Sequence, residues 1–424
     1  MNKSLLYAAC LCTGIMAACS GGDGSQTATG TVDIAGAMKN PGEVTTSQFG
    51  SKISFVPLET NDSVLVSNKF SIWTTGSKVV LSNVGNISFG TEDAAVMVFD
   101  INTGKFLNNI GQRGQGPEDY QFPIPNVDKH YDKVSFTAGS GGGRVIYSLD
   151  GKYIGKFSPQ VDAAQLNNMQ MLSMTDSVTT MIENNSGDES RMLVIRSFDP
   201  TGRQIDSCVV FEGQPSQAMS LNFSGPVTFY TYDEPFTYSG HSIATVKDSQ
   251  KTILFVGISR ETVGNEWHIH EEFCDTVFAI SRDGARPSLI FDFGGKGFPF
   301  EEVNKRMPSA SEMYVTQLIE APDKALFSFS EGWLGDDNHK TYIGIFDRST
   351  GKTIVADAKN GIRDDLGGFM PFNPVTTTAD GKWIGMLTME QIDEWLDENP
   401  EVNRPDWLAN STAEDNPVLV IISD

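Results

Sequence analysis

Basic residues are scarce in this chain. Of its 424 residues, 31 are Lys or Arg against 54 Asp or Glu, a net charge of −23. A polyanion is bound by exchanging its counterions for Lys and Arg, so nucleic acid is excluded as a partner. The acidic excess names no partner by itself, because it also serves solubility. Cysteine is nearly as rare: Cys10, Cys12 and Cys19 lie at the N-terminus, and only Cys208 and Cys274 follow. A disulfide framework and a CxxC metal or redox site are thereby excluded, and two free thiols are expected. No Gly-x-Ser-x-Gly elbow is present. No acidic run has the alternating ligands and closing Glu of a calcium loop. The pairs Glu271-Glu272 and Glu301-Glu302 are adjacent along the chain and read as solvated edges. No cofactor is expected.

What the N-terminus does contain is a leader. MNKSLLYAACLCTGIMAAC has one Lys, an apolar run too short to span a bilayer, and small residues before a cysteine. Met16-Ala17-Ala18-Cys19 resembles the bacterial lipobox, with Met in place of the usual Leu; an ordinary cleavable signal with an incidental cysteine is the alternative. Residues 1–18 are therefore expected to be a signal peptide, Cys19 the lipid attachment site, and 19–44 a flexible tether. Ser20 favours outer-membrane over inner-membrane attachment, and leaves open which side of that membrane is faced.

The body of the chain repeats a short apolar strand, an Asp-Gly or Asp-x-x-Gly turn, and a second strand. The pattern appears at 96–111, 145–157, 194–211, 277–294 and 343–358, with a weaker sixth copy at 376–387. Asp caps its own turn and Gly supplies the positive φ that the reversal needs, so each copy reads as a β-hairpin. The turn glycines lie 30 to 82 residues apart, too irregular for a solenoid. A β-propeller with insertions of different length fits, each hairpin forming strands three and four of a blade. ISFVPLE at 53–59 and NPVLVIIS at 416–423 lack local partners, and pairing them would close the ring and cover two exposed edges. The expected fold is thus all-β, a six-bladed propeller over 45–424 with blades at 64–111, 124–160, 165–212, 222–294, 310–359, and 368–424 with 53–59. One inserted helix is expected after Thr388, where Gln391 completes a capping box and Pro400 follows the end.

The strings ISFVPLETNDSVLV, VFDINTGKFLNNIGQRGQGPEDY, DTVFAIS, GIRDDLGG and DNPVLVIIS resemble the six-bladed propeller lipoproteins of the Gram-negative envelope, related to TolB-like and NHL-type propellers. The resemblance implies an envelope lipoprotein and transfers no catalytic set. The glycine loop GQRGQGPEDY (111–120) is not a phosphate loop. Pro117, Glu118 and Asp119 follow its last glycine, where phosphate binding needs Lys and Ser or Thr. It reads as the crossing from one blade to the next, its glycines allowing the sharp turn and Pro117 stiffening the exit.

In a four-stranded blade the Asp-Gly hairpins open on one face, and the longer loops and blade crossings on the other. Function usually sits in variable loops on a rigid core, so ligand contact is expected on the loop-rich face around the channel mouth. The long loops expected there are 84–93, 258–275 and 330–340. Candidates are Trp267, His268 and His270 in one W-H-x-H string, whose imidazoles would share a side if extended and could hold a metal. Against that stands a surface loop with incidental histidines. Trp333 could stack on a sugar or cover a blade edge. Arg113, Tyr120, Arg363 and Asp365 would crowd the axis, either as a ligand site or as a salt-bridged ring locking blades. The leading reading is a non-enzymatic binding or scaffolding propeller, joined to the membrane by its N-terminal lipid and engaging a protein, peptide or glycan. The alternative is a metal-dependent hydrolase or lyase at the channel mouth, by analogy of fold alone.

Overall fold

The computed structural model describes residues 29–424 except 62–63, 67–69, 84–94, 141, 187–189, 216–226, 232–241, 247–257, 282–283, 304–305 and 334–335. The leader with Cys19, the loop 84–93 and most of the strand expected at 252–258 lie outside the described residues.

Six antiparallel sheets surround one axis. From the inside outward, blade one is Ser71–Thr75, Lys78–Ser82, Val96–Asp100 and Phe106–Asn109. Blade two is Asn126–Val127, Lys133–Thr137, Arg144–Ser148 and Tyr153–Phe157. Blade three is Met169–Met174, Thr179–Ser186, Ser190–Phe198 and Gln204–Pro215. Blade four is Ile258–Val263, Glu266–Glu271, Thr276–Ser281 and Gly284–Asp292. Blade five is Met313–Glu320, Lys324–Glu331, Lys340–Asp347 and Lys352–Asp357. Blade six takes Pro374–Thr377, Trp383–Leu387 and Val418–Ser423 from the C-terminal end, and its outer strand Lys52–Pro57 from near the other end. That pairing is antiparallel, Ile53 opposite Ile422 and Pro57 opposite Val418, and closes the ring as expected. A separate hairpin, Val227–Thr231 with Ser242–Val246, lies between blades three and four along the chain.

Turn chemistry explains the hairpins. Asp100 Oδ1 accepts from the Asn102 and Thr103 amides (3.1 and 2.9 Å), and Asp347 does the same for Ser349 and Thr350 (2.9 Å each). Gly104 closes the first turn at φ +67°, and a Cβ there would strike the carbonyl oxygen of Pro57 in blade six. Five of the six repeats are strands three and four. The sixth, around Gly381, joins strands one and two of blade six, which corrects its expected place. Both kinds of hairpin open on the same face, the turn face.

Each blade packs on the next through an apolar layer, and six such layers make the core. The layer between blades five and six holds Ile319, Leu326, Ile345, Trp383, Val420 and the helix residue Ile392. That helix, Met389–Glu398, starts at Thr388, whose Oγ1 accepts from Gln391 N (3.2 Å) while Gln391 Oε1 accepts from Thr388 N (2.9 Å). The layer between blades three and four has Ile182, Leu193, Ile195, Ile269 and Ile280 as its buried residues. Each contributes roughly 1.5–3 kcal/mol when fully buried.

The segment expected to be a tether is partly folded. Gly30–Asp33 forms a fifth strand on blade four, parallel to Gly284–Asp292, so the chain enters the fold from the turn-face side. Ile34–Ala37 is helical, and Gly42 N donates to Val355 O on the outer strand of blade five (2.8 Å). The folded domain therefore begins by residue 29, and not at 45. No helix among the described residues is long and apolar enough to cross a membrane.

Candidate functional site

Where the inner strands end on the turn face, one ammonium ties the ring together. Lys129, in the first turn of blade two, is buried, and its Nζ donates to Glu261 Oε2 (2.6 Å) and Thr377 Oγ1 (2.9 Å). Glu261 belongs to the inner strand of blade four and Thr377 ends that of blade six. Alternate blades of a six-membered ring can meet only at its axis, so Lys129 is an axial plug. Thr377 Oγ1 donates onward to Glu320 O of blade five, and Thr74 Oγ1 of blade one donates to Thr377 O (2.7 Å each). Thr75 Oγ1 donates to Tyr131 O of blade two (2.7 Å). Among the described residues this hub joins blades one, two, four, five and six, and blade three stands outside it.

At the junction left out, the sheets part. A cleft of about 590 Å³ opens on the turn face between blades three and four and reaches the channel mouth at blade two, a volume suited to a small ligand. Blade two contributes Asp128, His130 and Tyr131; blade three contributes Ser173, Thr180, Ser197, Asp206 and Cys208; blade four contributes Thr262, Asn265 and Trp267. Among the described residues no Lys or Arg lines it. Burial raises the Asp128 carboxyl, which the His130 amide and the charges of His130 and Lys129 only partly offset. Neither Cys208 nor Cys274 is in a disulfide, and the second is buried and not among the residues that line the cleft.

The W-H-x-H string is not a loop. Residues 258–275 form the two inner strands of blade four, joined at Gly264 and Asn265, with only a short turn after Glu271. Alternation then sends Trp267 and Ile269 toward blade three, and His268 and His270 toward blade five. Trp267 lines the cleft. The imidazoles do share a side, but each has its own protein partner. His268 Nδ1 faces both carboxylate oxygens of Glu320 (3.0 and 2.9 Å), and His270 Nε2 donates to Cys274 O (2.9 Å). Glu271 and Glu272 are buried as well, which corrects the solvated edge expected for them.

Glu320 is also paired with Arg348, and Ser288 Oγ lies 3.5 Å from His268 Nε2, at the outer limit of a hydrogen bond. Serine, histidine and carboxylate thus come together, which the sequence did not suggest. All three are sealed from solvent. The group is a polar lock between blades four and five, without access for a substrate. Burial acts to raise the Glu320 carboxyl, but His268 and Arg348 outweigh it and hold it below the ordinary range. Among the described residues no three His, Cys, Asp or Glu are placed to hold a metal ion, the arrangement that a metal site at the channel mouth would require.

On the loop-rich face the other candidates serve the fold. Tyr120 is buried between blades one and two, stacked on Phe136 with ring centroids 4.4 Å apart, and Arg113 is exposed in the crossing loop. Asp119 braces that loop by accepting from Gly116 N (2.7 Å) and Gln112 Nε2 (3.0 Å). Trp333 is buried in an aromatic cluster with Phe273, Phe298 and Tyr314. Arg363 pairs with Glu43 (3.0 Å), and Asp365 accepts from Ser47 N and Oγ (2.8 and 2.7 Å) and Thr46 Oγ1 (2.9 Å). Burial acts upward on the Asp365 carboxyl, yet those hydrogen bonds bring it down to about 2. Arg363 and Asp365 therefore fasten the N-terminal segment, in place of meeting Arg113 and Tyr120 on the axis. A second cavity of about 450 Å³ adjoins them, lined by Glu43, Arg363, Phe369 and Trp395.

Sequence reasoning missed Lys129, Glu320, Asp128, Tyr131, Asp206 and Asn265. Gly264-Asn265 was a turn signal, though the 258–263 stretch before it is largely polar, and the polar run 128–132 sits between two strands.

A family model described as a domain of unknown function, DUF4934, matches residues 29–423. Comparison with curated proteins finds no match. Among solved structures, a Bacteroides fragilis protein provisionally described as exported aligns over 93% of this chain and 99% of its own, at 16% identity and a TM-score of 0.56. A member of the DUF4221 family from Bacteroides vulgatus aligns over 88% of this chain and 96% of its own, at 10% identity and a TM-score of 0.45. At these identities the likeness is one of fold.

Two outcomes follow from the buried pairs. Lys129→Met leaves the Glu261 carboxylate without its cation and is expected to cost about 3–5 kcal/mol in urea unfolding, whereas Lys129→Met with Glu261→Leu should recover most of that loss. A double variant no more stable than the single one would show that the pair is not what holds the hub. Because Glu320 titrates lower folded than its ordinary value of 4.5, its contribution is present above that value and lost as pH falls through the depressed one. Unfolding midpoints between pH 5 and pH 3 should therefore fall more steeply for the native chain than for Glu320→Gln; parallel slopes would refute the assignment.

Proposed function

Given that the chain belongs to the DUF4934 family, whose function is unknown, we propose from its geometry that it is an exported, membrane-tethered binding propeller whose ligand occupies the turn-face cleft. The single observation that carries this reading is the cleft itself: about 590 Å³, with polar and aromatic residues in its lining, beside blade three, which has no link to the axial hub among the described residues. Pockets of this size with a few convergent polar groups are the usual ligand sites of proteins. The ligand class is a protein segment, peptide or glycan. Nucleic acid is disfavoured by the charge of −23 and by a lining that has no Lys or Arg among the described residues. The loop-rich face is the second reading, supported by the cavity beside Arg363 and Trp395.

Export is supported by the leader and by the description of the Bacteroides fragilis structure. With Cys19 lipidated, the ten residues 20–29 reach at most about 35 Å. Since the chain joins blade four from the turn-face side, the cleft then lies on the side of the molecule nearer the membrane.

Asn265 is an exposed turn residue at the cleft, so Asn265→Trp obstructs part of the cleft without disturbing the core. Ligands that raise the melting temperature of the native chain and of Arg363→Ala should fail to do so for Asn265→Trp, with affinity weakened at least about tenfold. Loss of the shift in Arg363→Ala alone would move the site to the loop-rich face. Separately, Cys19→Ala is expected to shift the protein from the detergent phase to the aqueous phase in partitioning; unchanged partitioning would rule out the lipid.

A further inference from the structure

Taking the cleft as the ligand site, as proposed above, we infer that its ligand is an uncharged oligosaccharide. The lining gives three reasons. First, several of its hydroxyls are unoccupied by the protein: among the described residues Thr180, Ser197 and Thr262 make no side-chain hydrogen bond to another protein group. A hydroxyl both donates and accepts, and so does the hydroxyl of a sugar, whereas an ammonium only donates and a phosphate or carboxylate only accepts. Second, two carboxylates line it, Asp128 from blade two and Asp206 from blade three, and among the described residues no Lys or Arg lines the space to balance an anionic ligand. A carboxylate accepts from adjacent hydroxyl groups through two oxygens, the mode that vicinal sugar hydroxyls fit. Third, Trp267 and Tyr131 present aromatic surface within the same space; Tyr131 is 39% exposed. Rings of this kind offer an apolar body beside a polar tip, matched by the apolar face and hydroxyl edge of a pyranose.

Size agrees with more than one sugar. The cleft holds the liquid volume of about twenty waters at ~30 Å³ each, too much for a monosaccharide to fill. A cationic peptide is the competing occupant, favoured by the two carboxylates, and its backbone can also meet the free hydroxyls, so the two are compared directly as protectants.

Cys208 makes the inference testable, because its thiol lines the cleft while the other cysteine of the folded body, Cys274, is buried. The intact mature protein would be exposed to a maleimide, and alkylation of Cys208 followed by mass spectrometry, with Cys208→Ser identifying the labelled site. Neutral trisaccharides of glucose, mannose and N-acetylglucosamine, a galacturonic acid trimer and a Lys-rich peptide would be compared as protectants. A printed glycan array would be probed in parallel with the native chain and with Asn265→Trp. The expected result is protection of at least tenfold by one or more neutral oligosaccharides, none by the acidic trimer or the peptide, and array signals on neutral glycans that Asn265→Trp loses. Protection by the peptide or acidic trimer alone overturns the ligand class and leaves the cleft as the site. No protection by any probe, together with array binding that survives in Asn265→Trp, overturns the cleft itself. An array blank for neutral glycans, with no protection, overturns the inference outright.

Discussion

One buried ammonium organises the turn face of this propeller. Lys129 reaches from blade two to blades four and six, and the threonines around it extend the connection to blades one and five. A charge so placed is expensive to desolvate and stays only because Glu261 and Thr377 satisfy it. Among the described residues blade three has no link to this hub: it is held to blade two by an apolar layer, the Lys133–Asp176 ion pair and Ser135 against Met171, and to blade four by an apolar layer. The cleft is the direct outcome: two sheets joined along their middles and unjoined at the axis leave a wedge between them.

The opposite side of the ring is secured differently. The outer strand of blade six comes from residues 52–57, and the preceding segment runs across blades four, five and six, adding a strand to the first and bonding to the outer edge of the second. Thr46 and Ser47 then dock on Asp364 and Asp365. Between them, this strap and the Glu320–His268–Arg348 lock fasten blades four to six as one half of the ring. The half that includes blade three has no counterpart to either device among the described residues, which again puts the freedom at the same junction.

What the sequence revealed was whatever is local. Asp100 and Gly104, or Asp347 and Gly351, act within one turn, so their meaning is legible from four or five residues. The closing strands were legible because apolar strands without neighbours must pair somewhere. The copy at Gly381 was assigned to the wrong pair of strands because an Asp-Gly turn has the same chemistry wherever it falls in a blade. Residues 29–44 read as a tether because small and polar residues dominate them, and nothing local shows that blade four has an edge to offer. Lys129 was beyond reach for a stronger reason: its partners lie 132 and 248 residues away along the chain. His268 was misplaced in a loop since its strand partner on one side, the 258–263 segment, carries the polar pattern SRET and not an apolar run.

The expectation that function follows the long loops also meets a physical limit here. Long loops carry many side chains, and on this molecule those side chains cover the ends of the sheets: Trp333 fills an aromatic cluster, Tyr120 a blade interface, and the helix after Thr388 an apolar layer. Once committed to packing, they are not available to a ligand. Short turns cover nothing. On the turn face they leave the strand ends and the inner hydroxyls of blades three and four open to water, so the accessible polar surface lies where the loops are shortest. A variable loop is a good site only when its own residues are not needed to finish the core. For this propeller the tight turns, by their brevity, leave open the larger of the two cavities described, and the loop-rich face keeps the smaller one.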